Sequence, residues 1–373
     1  MGTLTAPQFV TSMKSYAIAN AALVYGTAGY MQWTPTLAQT DARKWTQSHW
    51  IARTRTPAEN EYIISSYETV GWPSGIKFDA NSKLNIIVCL GGALVCNLTS
   101  AQACKDSAAW YHVVVAYDST QAVASDRVRV YINGTQITSF VAPQYPVLNA
   151  VGTTSKIGVN QVIGLYYNAA NEYKGYIAEL YFVDGQALMP SEFGKLDPTT
   201  GNWVSKKYTG TYGANGFYLD FSNGLALGAD ASGNGNNWTV TGGVTQVTST
   251  PTNVYATWNT LNYNGDTAMS NGNRLAYGHS STLNNEGAVT TLGFDVADNY
   301  WVELVANATG THSFFGITDM AVFAANNTDV LANNVATRTY RTYLGEKTTG
   351  TGAGFTTAAY TNSRKESLMC PFS

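Results

Sequence analysis

The chain has 373 residues, of which 45% are hydrophobic and 12% aromatic, but only 12% are charged, about half the roughly 25% of an ordinary soluble domain. A formal net charge of −3, with no block of like charges, excludes an electrostatic nucleic-acid surface, and no apolar run reaches the length of about 18 residues that a membrane-spanning helix needs. Glycine (35) and tyrosine (24) are abundant while the residues that clothe surface helices are scarce, so the composition predicts an all-β protein.

The chain opens with MGTLTAPQFVTSMKSYAIANAAL, where Lys14 stands alone before a short apolar stretch. Without a charged segment ahead of a hydrophobic core, no export signal is read, and residues 1–15 are expected to form an arm. A first module is expected over 16–200. Its strand candidates are short and separated by turn residues: Trp45 to Ile51, Tyr62 to Ser66, Gly75 to Phe78, Leu84 to Leu90, a central hairpin, and Lys156 to Val159. That spacing favours a sandwich over a βαβ fold. The hairpin is the most fully specified element. His112 to Tyr117 is a β-branched and aromatic run; Arg127, Arg129 and Tyr131 alternate with Val128, Val130 and Ile132; Asn133-Gly134 supplies a type I′ turn. Tyr176 to Val183 should be a central strand, ended by Asp184-Gly185, and Met189 to Gly194 one short helical turn.

Residues 201–253 read as an Asn/Gly-rich connector that closes with the Thr/Ser/Pro stretch VTQVTSTPTN, and 254–373 as a second β-sandwich, short enough to be incomplete by itself. Within it, Phe294 to Leu304 and Ser313 to Ile317 are expected to pair. Four cysteines, at 89, 96, 104 and 370, match no zinc spacing and read as buried free thiols. Reduced cysteines without an export signal suggest assembly in a cytosol and release by lysis.

Two resemblances sharpen this reading. The string from Trp110 to Asp118, WYHVVVAYD, followed by Val128 to Gly134, VRVYING, resembles the central hairpin of laminin-G-like and pentraxin-like jelly rolls of the concanavalin A-like superfamily. The segment Lys174 to Gly224 contains GYIAELYFVDGQAL, SEFG and YTGTYGANGFYLDF. With Asp230 to Thr239 (DASGNGNNWT), it is similar to a signature of tailed-bacteriophage structural proteins. The resemblance implies two antiparallel concanavalin A-like modules, the second concanavalin A-like or SPRY-like, in a virion protein.

Candidate chemistry is sparse. A glycan hydrolase on such a sandwich would set two carboxylates about 5–9 Å apart on one strand face. Glu179 lies in a suitable strand, but its same-face neighbours are Ile177 and Tyr181, so a structural carboxylate is expected. His49, His112, His279 and His312 are scattered, without a ligand spacing, and no G-x-S-x-G elbow occurs; neither a catalytic nor a metal site is assigned. Asp230 to Asn236 places oxygen-bearing residues at alternate positions. It reads as an Asx-rich turn, with calcium the alternative that related jelly rolls suggest. Loop aromatics beside amides could stack on sugar; Trp72, Tyr166 and Tyr167 are the best placed.

The expected function is a non-enzymatic bacteriophage virion structural protein, a head-decoration, collar or tail fibre/spike component with a lectin-like fold. Its partners would be itself, as a homotrimer, and other virion proteins. A host-receptor glycan-binding adhesin is the alternative, and a polysaccharide depolymerase the third reading. Fold alone does not separate these.

Overall fold

The computed structural model describes residues 16–25, 29–55, 59–68, 71–106, 109–166, 171–254, 257–264, 268–270, 273, 275–277, 287–290, 300–305, 314–317, 338–341, 346–349, 356–358 and 365–370. It divides into two compact units, Met1–Leu261 with Ser270–Leu275, and Asn262–Met269 with Ala276–Ser373. Among the described residues the only helical turns are Ala124–Asp126 and Pro190–Glu192; the second lies where Met189-Pro190 predicts one. The protein is all-β.

In chain order the strands of the first unit are β1 (Ala21–Val24), β2 (Tyr30–Trp33), β3 (Lys44–Arg53), β4 (Glu61–Ser66), β5 (Ser74–Phe78), β6 (Lys83–Leu90), β7 (Ala93–Ala103), β8 (Tyr111–Asp118), β9 (Val128–Ile132), β10 (Thr135–Ile137), β11 (Phe140–Gln144), β12 (Gln161–Ile163), β13 (Gly175–Asp184), β14 (Gly194–Leu196), β15 (Trp203–Ser205), β16 (Phe217–Leu219), β17 (Thr239–Thr241) and β18 (Val244–Val247). The first sheet runs β10-β9-β8-β3-β13-β1-β18, with β16 also beside β13; the second runs β11-β7-β6-β5-β4-β12-β2-β17. The two sheets form an antiparallel sandwich. Alternate residues supply its core: Val113, Val115 and Tyr117 from β8, Val128 and Val130 from β9, Leu84, Ile86 and Val88 from β6, and Cys96 and Leu98 from β7. Cys89, Cys96 and Cys104 are buried free thiols; Cys370 ends a strand of the second unit.

The hairpin folds as its alternation requires. Thr135 pairs with Ile132, and Asn133 and Gly134 take φ of 49° and 77°, the two positive values of a type I′ turn. Gly134 is not simply an open corner, because a Cβ there would lie 2.4 Å from the Trp203 ring. Lys156 to Val159 is not a strand. Ser155 and Gly158 have φ of 56° and 71°, which turns the backbone out of extension, and the ladder begins only at Gln161.

The segment 201–253 is no connector. It contributes β16 and β18 to the first sheet and β17 to the second; the Val and Thr of VTQV satisfy β1 as an edge partner, Val24 opposite Val244. In the second unit, Tyr300–Val305 pairs with Lys365–Cys370, and Phe314–Ile317 with Arg338–Arg341. The two strands expected to pair therefore belong to different three-stranded sheets.

The central strand β13 is irregular at one point. Ala178 and Tyr181 of β13 face Trp50 and Ser48 of β3, so Glu179 and Leu180 together oppose His49, a β-bulge. Glu179 has φ of 49°. The opposite edge of β13 changes partner at the same place, from β1 at Gly175–Ile177 to β16 at Leu180–Phe182.

Candidate functional site

The outer face of the first sheet is closed by the chain's own aromatics. Trp50, Tyr176 and Val247 form one buried cluster with Trp110 and Trp203; Tyr131, Tyr181, Phe193, Tyr208 and Tyr218 form another. Within the second, Tyr181 and Tyr218 stack at 4.3 Å between ring centroids. The bulge turns Glu179 into this face. Its Oε1 accepts the hydroxyls of Tyr218 at 2.8 Å and Tyr16 at 3.3 Å, and its Oε2 accepts that of Tyr181 at 2.5 Å. Burial pushes the Glu179 carboxyl up from its ordinary value, against the lowering effect of those hydroxyls. Asp220 follows Leu219, the partner of Leu180, so a second acidic residue does neighbour Glu179, a juxtaposition that sequence spacing cannot reveal. Glu179 is only 3% exposed and its oxygens are occupied. It acts as the acceptor that ties the approach to β1, β13 and β16 together.

A second polar group looks superficially like a nucleophile with its base. Ser48 Oγ lies 2.9 Å from His112 Nε2, and Trp203 Nε1 donates to His112 Nδ1 at 2.9 Å. An indole N–H can only donate, so Nδ1 is the unprotonated nitrogen and Nε2–H donates to Ser48. The imidazole thus has no lone pair facing Ser48 with which to take its proton. His112 also stacks on Trp50 at 4.7 Å, and burial lowers its pKa to about 3. His49 is likewise lowered to about 3 by burial. His279 and His312 lie outside the described residues.

The Asx-rich loop is a clasp. Asp230 Oδ1 accepts the backbone N–H of Tyr218 and Ser232; Oδ2 accepts Ser232 Oγ and the N–H of Asn236. Asn234 and Asn236 both donate to Gly216 O. With both carboxylate oxygens so engaged, the loop holds β16 in place and does not present an open set of calcium ligands.

The remaining face belongs to the second sheet. Tyr62 on β4, Lys77 on β5, Asn85 on β6 and Thr99 on β7 are successive register partners, so they share one face. Their neighbours Phe78, Leu84 and Leu98 enter the core, which puts the row on the outer side. Asn85 Nδ2 donates to Asn97 Oδ1 at 2.7 Å and Thr99 Oγ1 at 2.8 Å. Tyr62 packs on Tyr166, ring centroids 5.1 Å apart, and the Lys77 ammonium sits 5.1 Å from the Tyr62 ring centre while donating to Asn60 Oδ1 at 3.1 Å. Tyr62, Lys77 and Asn85 are buried; Asn97, Thr99 and Tyr166 are half-buried. Sequence reasoning missed this row, because its period-two signal gains meaning only once four strands are in register.

Of the three loop aromatics singled out, Tyr166 thus joins the amide row. Trp72 is 64% exposed in the turn after β4, its N–H directed to Gly92 O. Since β12 is antiparallel to β4, with Ile163 opposite Ile64, Tyr166 lies toward the start of β4 and Trp72 beyond its end, roughly 15 Å or more away at about 3.3 Å per residue. The structure does not bring these two into one site, and Tyr167 lies outside the described residues.

Residues 25–192 match the Laminin_G_3 family, described as the concanavalin A-like lectin/glucanases superfamily. The solved structures to which the chain is similar include the following three, all at low identity. The first is the native heptameric SAP-like pentraxin of Limulus polyphemus, at 14% identity over 64% of this chain and 100% of that one, TM-score 0.42. The second is a candidate carbohydrate-binding protein of Bacteroides ovatus, at 17% over 62% and 60%, TM-score 0.41. The third is domains LG4-5 of the mouse laminin alpha1 chain, at 9% over 52% and 48%, TM-score 0.33. No curated protein matches. The first unit carries a lectin-like jelly roll of the laminin-G, concanavalin A-like kind, and the family match ends at 192, before the segment that covers the outer face of the first sheet.

Proposed function

We propose that the chain is a non-enzymatic structural protein of a bacteriophage virion, a head-decoration, collar or tail fibre/spike component that displays a lectin-like jelly roll, assembled as a homotrimer. The observation that carries this reading is the use made of the segment beyond residue 192. The motifs similar to phage structural proteins supply Phe193, Trp203, Tyr208 and Tyr218 to the covered face and the Asp230 clasp to β16. They therefore build the jelly roll into a closed display unit rather than open a reaction cleft. The wiring of Ser48, His112 and Glu179 supports the absence of catalysis. Several such units on one particle would add weak contacts through effective concentration.

The test is immunogold electron microscopy of purified particles with antibody against the full chain. Label at a regular position on each particle is expected; particles free of the protein by mass spectrometry would overturn the proposal. Binding of host glycan is the second reading, favoured by exposed Trp72 and by the Asn85, Asn97 and Thr99 row. A glycan array with the full chain tests it, and release of reducing sugar from host envelope would instead mark a depolymerase.

A further inference from the structure

We infer that Lys77 and Asn60 are joined by a self-formed amide cross-link between β5 and the chain entering β4. Lys77 Nζ lies 3.1 Å from Asn60 Oδ1, and a C=O bond is about 1.2 Å, so Nζ is within about 4.3 Å of Asn60 Cγ. That approaches the 3–3.5 Å of a near-attack arrangement, and rotation of the Asn60 side chain presents its carbonyl face to the amine. The amine is set apart from water. Lys77 is 8% exposed, lies against the Tyr62 ring, and is absent from the ion pairs among the described residues. Burial lowers its pKa, against the raising effect of Asp79, which favours the neutral nucleophile.

The third group that such a reaction needs is a carboxylate to move a proton; Asp79, two residues on from Lys77 and acting on its charge, lies outside ion-pair distance of the amine and would take the proton after a side-chain rotation or through one water. Glu61 and Phe78 are the last ladder pair of β4 and β5, so Asn60 and Asp79 come next on the two chains. Asp79 Oδ1 accepts the N–H of Asn81 and Lys83, which holds the carboxylate while leaving Oδ2. In the reaction the Nζ lone pair forms a bond to Asn60 Cγ, the Cγ–Nδ2 bond breaks, and Asp79 carries one amine proton to the departing nitrogen. Ammonia leaves, and nothing is oxidised or reduced. The product is an amide spanning two strands that are already paired, independent of any role in a virion or in glycan binding.

Mass spectrometry of the denatured full chain tests this. The wild type should fall about 17 Da below its sequence mass, the loss of one ammonia, and a tryptic digest should yield a branched peptide joining residues 60 and 77. Lys77→Arg keeps a cation beside Tyr62 but removes the nucleophile, and should restore the full mass. Asp79→Asn should slow or abolish the loss; an unchanged rate would overturn the assignment of the carboxylate. A wild-type chain at full mass overturns the cross-link. So does a deficit that persists in Lys77→Arg or maps to an Asn-Gly sequence, where ring closure also expels ammonia. Peptide mapping of the wild type decides the matter even if a variant fails to fold.

Discussion

The ring of Trp203 occupies the space that a side chain on Gly134 would need: a Cβ at 134 would come within 2.4 Å of it. The same ring donates to His112, so one tryptophan packs the hairpin turn and fixes an imidazole tautomer. Gly134→Val should therefore suffer twice, from the positive φ of the turn, about 1–3 kcal/mol, and from displacement of Trp203. Trp203→Phe should cost about 1–3 kcal/mol by leaving His112 Nδ1 unpaired. In the double variant the two losses should fall short of their sum, because the ring is shared. Thermal unfolding of the three variants measures this; strict additivity would show that the two residues do not act through one contact.

Glu179→Gln retains an oxygen acceptor but puts N–H donors where phenol hydroxyls now donate. A loss of about 1–3 kcal/mol in chemical denaturation is expected, without change in any binding to host surfaces. Glu179→Gly is the informative companion: it relaxes the left-handed backbone and deletes the acceptor. If it proves as stable as wild type, relief of the left-handed backbone matches what the three hydroxyl contacts contribute; a clear loss shows that the contacts outweigh the strain.

Stability should fall in acid. His49 and His112 are held near 3 in the folded chain against an ordinary 6.5, so their contribution is complete above about pH 6.5 and declines as pH drops toward 3, by at most about 1.4 kcal/mol per pH unit for each imidazole. Glu61 and Glu179, raised by burial, act in the opposite sense over the acidic range. The histidine share is isolated with His49→Leu, whose melting temperature should depend less on pH below 6.5 than that of wild type. Parallel profiles would remove His49 as a source of acid sensitivity.

Calcium should leave the first unit unaffected. The oxygens of Asp230 already accept protein donors, so calorimetry in calcium and in EDTA should give superimposable transitions. Asp230→Ala should lower the transition in both, since the Tyr218 N–H and the Asn236 turn lose their acceptor.

Much of the first unit was legible because its strands carry their own period. Val113 and Val115, Val128 and Val130 announce one buried face each, and Asn133-Gly134 fixes their register. What was hidden depends on pairing between distant segments. Nothing local to VTQV says that it will lie beside Ala21–Val24, and Tyr62, Lys77, Asn85 and Thr99 share a face only because three ladders align them. Glu179 shows the limit most sharply. Simple alternation gives it Ile177 and Tyr181 as face-mates, but the bulge breaks the alternation and turns it to Tyr16, Tyr181 and Tyr218.

β1 and β2 are consecutive yet lie in different sheets, and β17 and β18, separated only by Gly242-Gly243, part between the same two sheets to meet them. The order of synthesis then matters. β1 leaves the ribosome early and finds its first partner only when β13 appears; β2 waits for β12; β2 is flanked on its other side only after residue 241, and β1 only after residue 247. Such long-range closure slows folding and leaves unpaired strand edges open to neighbouring chains. A chain released before residue 239 would keep β1 and β2 exposed along one edge each, so premature termination in this stretch should yield aggregates rather than a smaller soluble domain.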